Sequence, residues 1–480
     1  MSPVPRLVDG LVRMAPAGPG IGVLLPRHAV GAEGADVLQW ASSTTSGADE
    51  IVTESFVGSL HTSVRHEVSD DSWRFRVSIA NDSQAPVSLS EVLLDLQPGD
   101  GRVWLWAAVT SGLLVLVTAE SELWAFTLRQ GSLRREGDAV TWLDPGTEVA
   151  PGGRVVLDLS GRRCGGWDEI ASMLPSWLPP LAVRDNEPVT ISLPDAGVVA
   201  DCVIGDTPEG TELHGSGAQH ARLLGSFGEV ALDLAFAPAL EQAAAAGARQ
   251  VARLVREVPG AVHQVSGTGP QSRARDLDRT GRRLVLLQSA RSHVAADVVR
   301  GWLLDGVTDL LQSGGTPGPF ALAALAGEAQ RRDDPQALEV LLDALPELDS
   351  EPGQVLAVTR AWAVLWGLGR DPEPARQALA WLLSQPGTSR LESIERGLVL
   401  GRDGAVVDLL GVLGGGLPGG LLPEPEAWQQ AYAVALTSLV GDETAEASRL
   451  VQAAQTMTHR LVAQHPEDAD VLAWLLLGER

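Results

Sequence analysis

The residues of this chain best suited to bond-breaking chemistry are acids spaced to share a helix face. Asp305 and Asp309 follow Trp302, and Glu392 and Glu395 lie in Ser389-Arg390-Leu391-Glu392-Ser393-Ile394-Glu395-Arg396. Spacings of three and four bring side chains together on one face of a helix. Hydrolysis of a glycosidic bond needs two carboxyl groups, one protonating the leaving oxygen and one acting as base or nucleophile. Asp305, Glu392 and Glu395 are therefore the candidate catalytic residues, and Glu424 and Glu426 follow a glycine-rich stretch. No local signature marks any of them. Glu392 also stands four residues before Arg396, a spacing that gives it a structural ion pair instead.

The residue types that are missing narrow the chemistry further. The chain has 36 arginines and no lysine. Without an ε-amine there is no internal Schiff base, which excludes pyridoxal-phosphate enzymes and class I aldolases. A P-loop or protein kinase lysine is equally absent, as is a Ser-Lys dyad. Gly18-Pro19-Gly20-Ile21-Gly22 lacks the preceding strand and following helix of a dinucleotide site and reads as a turn. His61 and His66, five apart on an expected strand, point to opposite faces. His214 and His220 flank a Gly-rich loop, with Asp206 or Glu212 as the nearest third ligand, and read as an exposed inter-strand segment. Cys164 and Cys202 are too few for a disulfide framework or a zinc site. No cofactor and no metal is expected.

A net charge of −25 and a sequence pI near 4.7 argue against nucleic acid and against an anionic membrane surface. No stretch approaches the roughly 20 apolar residues of a membrane span. The expected partners are an oligosaccharide or another protein, and the expected compartment is the cytoplasm. Tryptophan is the positive signal: there are 14, against 6 Phe and a single tyrosine, Tyr432. Indole faces stack on sugar rings, yet they also fill cores, and Trp104 and Trp106 share one face of a strand. Trp362 and Trp366, four apart, read as a helical core pair.

The elements that must position these residues change once along the chain. To about residue 236 the hydrophobic period is two, in short runs such as Trp73–Ile79, Val87–Leu96 and Glu229–Phe236, bounded by Gly, Pro, Asp and Ser. After Pro238 it becomes that of a helix. The expected fold class is α+β and multidomain. A large antiparallel β-sandwich spans 1–237, and a linker helix and connector span 238–273. An all-α domain of helical hairpins, toroid-like, spans 274–480. The linker helix runs over Ala239–Glu257, and the connector over Val258–Arg273. Helices are predicted over 274–290, 292–312, 318–332, 334–345, 352–368, 372–384, 389–412, 424–440, 443–464 and 467–478, several opened by Asp-Pro or closed by Gly. Gly411–Gly420 reads as a flexible loop suited to a lid.

This order, with its linker helix at Ala239–Glu257 and its Trp-rich sandwich, is similar to bacterial glycosidases and phosphorylases that pair an N-terminal sandwich with an (α/α) toroid. The resemblance is one of architecture, without a sequence motif. It implies a carbohydrate-active protein, hydrolysing a glycosidic bond with paired carboxylates. The alternative is a non-catalytic scaffold or interaction protein, a degenerate relative that binds a protein or glycan.

Overall fold

The computed structural model describes residues 6–8, 11–13, 18–24, 41–47, 49–193, 195–257, 270–289, 296–312, 314–332, 334–402, 404–441 and 446–479. Large antiparallel sheets fill the N-terminal half and helices the C-terminal half, as the change of period requires. A nine-stranded sheet runs from Ala41–Ser46 at one edge, through Glu50–Val57, Leu60–Val68, Ser72–Asn81, Arg154–Cys164, Leu123–Gln130 and Ser111–Val117, to Arg102–Ala108. Its last strand, Gly420–Leu422, comes from the helical half and pairs Val103 with Leu422 and Leu105 with Gly420. A six-stranded sheet containing Gly20–Leu24, Val92–Gln97 and Ala139–Leu143 contributes to the same core.

Side-chain alternation divides the nine-stranded sheet between two cores. Val103, Leu105, Leu114, Leu116 and Phe126 enter the core of the sandwich, with Trp73, Phe75 and Val77. Their neighbours Trp104, Trp106, Leu113, Val115 and Ala125 point to the other face, beneath the helices. Both faces of these strands are thus covered, so Val103–Leu105 and Leu113–Val117 read as continuous apolar runs. A smaller sheet of Ala182–Arg184, Gly228–Ala237, Gly217–Gly225 and Gly197–Ala200 packs into that second core.

The helices begin and end close to where the sequence signals place them. Leu240–Glu257 is followed at Pro270 by Pro270–Ser289, so the expected connector overlaps that helix; its residues 258–269 lie outside the described residues. Asp334 and Asp468 accept the first free N–H groups of Pro335–Ala344 and Ala469–Leu477, as capping aspartates should.

Three expectations need correction. The single helix expected over 389–412 is two, Arg390–Val399 and Ala405–Val412, because Gly401 (φ 61°) and Gly404 (φ 88°) take the left-handed conformation between them. Trp362 and Trp366 stack on each other at 6.2 Å but are 40% and 69% exposed. Their helix, Gln354–Gly367, is apolar on most sides and buries Val358, Ala361 and Leu365 instead, so period alone could not select the buried face. The segment 411–420 is no lid. Gly414 and Gly415 are buried at φ 61° and 60° against the indoles of Trp104 and Trp167.

Candidate functional site

The strand Gly420–Leu422 forms a partition with a cavity on either side, because Val412, Leu421, Pro425 and Gln430 line both. The first is a cleft of about 300 Å³ between the sheets and helix Ala447–Gln464. Trp104 and Trp106, both buried, are among its lining residues. Trp104 donates its Nε1–H to the Pro418 carbonyl at 3.0 Å, which ties its strand to the segment leading into Gly420–Leu422.

One wall comes from the strand pair Gly217–Gly225 and Gly228–Ala237. Antiparallel register sets His220 opposite Asp233, and the imidazole Nδ1 meets the Asp233 carboxylate at 2.8 Å. Both side chains are exposed at the mouth. The facing wall holds Arg135 on Arg134–Glu136, whose guanidinium donates to the Leu421 carbonyl and to Glu424, each at 3.0 Å. The Glu424 N–H in turn donates to Asp138 at 2.6 Å. Helix Ala447–Gln464 adds Met457, Arg460 and Gln464. Arg460 donates to the Gly419 carbonyl. Burial pulls its guanidinium below the usual arginine range and Arg135 adds to that, while Asp233 and Glu424 oppose it.

The cleft therefore presents two guanidinium groups, two carboxylates, an imidazole and side-chain amides. This set can satisfy many hydroxyl groups without a large surplus of charge.

The acids singled out by spacing lie elsewhere. Asp305 is exposed on helix Ala296–Gln312, as is Asp309. Glu392 and Glu395 are each 1% exposed. Glu392 accepts from the Thr388 N–H at 3.1 Å, from the Thr388 hydroxyl at 2.6 Å and from the Ser389 hydroxyl, and lies 3.8 Å from Arg396. Those contacts close the N-terminus of Arg390–Val399, where Ser389 accepts the Glu392 N–H. Glu395 accepts the Leu356 N–H at 2.8 Å and the Tyr432 hydroxyl, and burial pushes its carboxyl up to about 7. Neither Asp305, Glu392 nor Glu395 lines the cleft or the cavity across the partition.

Spacing could not have found the cleft. Arg135, His220, Asp233, Glu424 and Arg460 come from five separate segments, and the cross-strand pair needs the hairpin register. Glu424 was visible only as an acid after a glycine-rich stretch. Among the described residues no group of three or more His, Cys, Asp and Glu is placed to hold a metal ion, and no helix is long and apolar enough to cross a membrane.

No protein-family model matches the chain, and no curated protein matches it by sequence. Its fold is similar to the solved structure of a polysaccharide lyase, with a TM-score of 0.51 and 12% identity, over 92% of this chain and 75% of that one. At 12% identity that likeness is one of fold.

Proposed function

We propose that this chain is a carbohydrate-binding protein that takes an oligosaccharide in the cleft beside Gly420–Leu422. The observation that carries the reading is the convergence of Arg135, Arg460, Asp233 and Glu424 on one cleft. A sugar presents vicinal hydroxyls, each both donor and acceptor, and a mixed set of guanidinium, carboxylate and amide groups matches them. The cleft volume of about 300 Å³ admits on the order of one sugar ring, so the rest of a chain would lie along the mouth by His220 and Asp233.

Calorimetric titration with neutral and uronate-containing oligosaccharides tests this. At least one should bind, and Glu424→Gln and Asp233→Asn should each weaken it about tenfold, the loss expected for one charged hydrogen-bond partner. No binding by any of them, or binding indifferent to both substitutions, overturns the reading.

A second reading is hydrolysis of a glycosidic bond. It is favoured by two carboxylates, Asp233 and Glu424, lining the same cleft. Release of new reducing ends, lost in Glu424→Gln while binding persists, would establish it. Intact oligosaccharide after prolonged incubation would leave recognition alone.

A further inference from the structure

Across the partition lies a cavity of about 330 Å³ with a different chemical character. Its walls are largely apolar, from Pro98, Leu391, Leu421, Leu422, Pro423 and Trp428, with Tyr432 among them. Its only charged groups among the described lining residues are Arg102 and Arg390. Such a lining is unexpected in a chain whose net charge is −25.

The two arginines share one counterion. Arg102 Nη2 meets Asp408 Oδ1 at 2.5 Å and Arg102 Nη1 donates to the Asp408 carbonyl, while Arg390 Nη2 lies 3.2 Å from the same Oδ1. Among the described residues, one carboxylate between two guanidinium groups leaves a positive charge uncompensated at the cavity wall. The surplus rests mainly on Arg390, whose side chain is 40% exposed, while Arg102 takes both Asp408 contacts and is only 6% exposed. Burial first, and the facing Arg390 second, draw its guanidinium down to about 10, against the opposing pull of Asp408.

We propose that this cavity binds an amphiphilic carboxylate, its apolar body against Leu391, Leu421 and Trp428 and its anionic end on the Arg102–Arg390 pair. The volume admits on the order of ten non-hydrogen atoms, at the roughly 30 Å³ a water molecule occupies in the liquid. A neutral apolar molecule would leave the surplus charge where it is. A sugar would strand most of its hydroxyls against apolar walls, which separates this site from the cleft.

The test is calorimetric titration of the full chain with octanoate and, separately, with octanol. Octanoate should bind with one-to-one stoichiometry and octanol at least tenfold more weakly. Arg390→Gln should weaken octanoate about tenfold and leave octanol unchanged, the change expected for one lost charge contact. Arg390 is 40% exposed, so this variant should keep its fold, and thermal melting checks that it does. Leu391→Trp, which fills the cavity, should abolish binding of both ligands. Absence of octanoate binding, equal binding of octanol, an Arg390→Gln variant with unchanged affinity, or binding that survives Leu391→Trp would each overturn the proposal.

Discussion

Trp104 occupies the space that a side chain on Gly414 would need: a Cβ built there lies 2.2 Å from the indole ring. The contact joins residues 310 positions apart and seats the helical half on the outer face of the nine-stranded sheet. Gly415 repeats it against Trp167, where a Cβ would lie 2.6 Å from the ring, and Gly419 approaches the Leu105 carbonyl so closely that no side chain fits. A run of glycines here is a docking surface for backbone against indole.

Gly414→Ala should therefore cost more than about 3 kcal/mol, combining a left-handed backbone penalty with overpacking. Gly401→Ala is the control. It shares a φ of 61° yet meets nothing within 4 Å, so about 1 kcal/mol is expected. Denaturant unfolding of both variants measures the difference, and equal losses would show that the Trp104 contact contributes nothing.

Glu395 makes stability depend on pH. Its carboxyl is pushed up to about 7, chiefly by burial, against hydrogen bonds from Leu356 and Tyr432 that favour the ionised form. An unfolded glutamate titrates near 4.5. Between about pH 4.5 and 7 the folded state therefore holds a proton that the unfolded state has released, and stability falls as pH rises through that window. The full shift corresponds to about 3 kcal/mol. Glu395→Gln keeps an acceptor for the Leu356 N–H and cannot ionise. Its stability at pH 8, relative to wild type, should gain about 2 kcal/mol, read from urea unfolding at pH 5 and pH 8.

His66 acts in the opposite direction. Burial lowers its imidazole from 6.5 to about 3, and its Nδ1 accepts the Trp73 Nε1–H at 3.2 Å, so the ring is neutral in the folded protein. The unfolded chain takes up a proton as pH falls through 6.5 while the folded chain does not, so this group costs stability progressively from about pH 6.5 down to 3. His66→Gln retains an acceptor for Trp73 and should flatten this acid limb. Thermal unfolding between pH 4 and 7 reads the slope.

The N-terminal segment 1–257 expressed alone should self-associate. It would lack Gly420–Leu422, leaving Arg102–Ala108 as an unpaired edge strand, and it would uncover Trp104 and Trp106, which are 1% and 5% exposed in the whole chain. Sedimentation should show oligomers or aggregate. A monodisperse monomer with a cooperative melt would mean that the sandwich core of Trp73, Phe75 and Leu105 suffices on its own.

Local chemistry in the sequence determined the fold class and most element ends. The change of period near Pro238 separates sheets from helices, and Asp334, Asp468 and the flanking Gly and Pro residues mark helix ends because capping and left-handed turns act within a few residues. The role of each acid was not legible. An i, i+3 or i, i+4 spacing is the same whether the helix face is solvated, as at Asp305, or packed, as at Glu392 and Glu395. Only tertiary structure decided that Glu395 would bond the Leu356 N–H and that Arg102 would meet Asp408 across 306 positions. It alone decided, too, that a three-residue strand from the helical half would complete a sheet and separate a polar cleft from an apolar cavity. These contacts depend on long-range closure of the chain, and no periodicity within one segment records which distant segment will cover it.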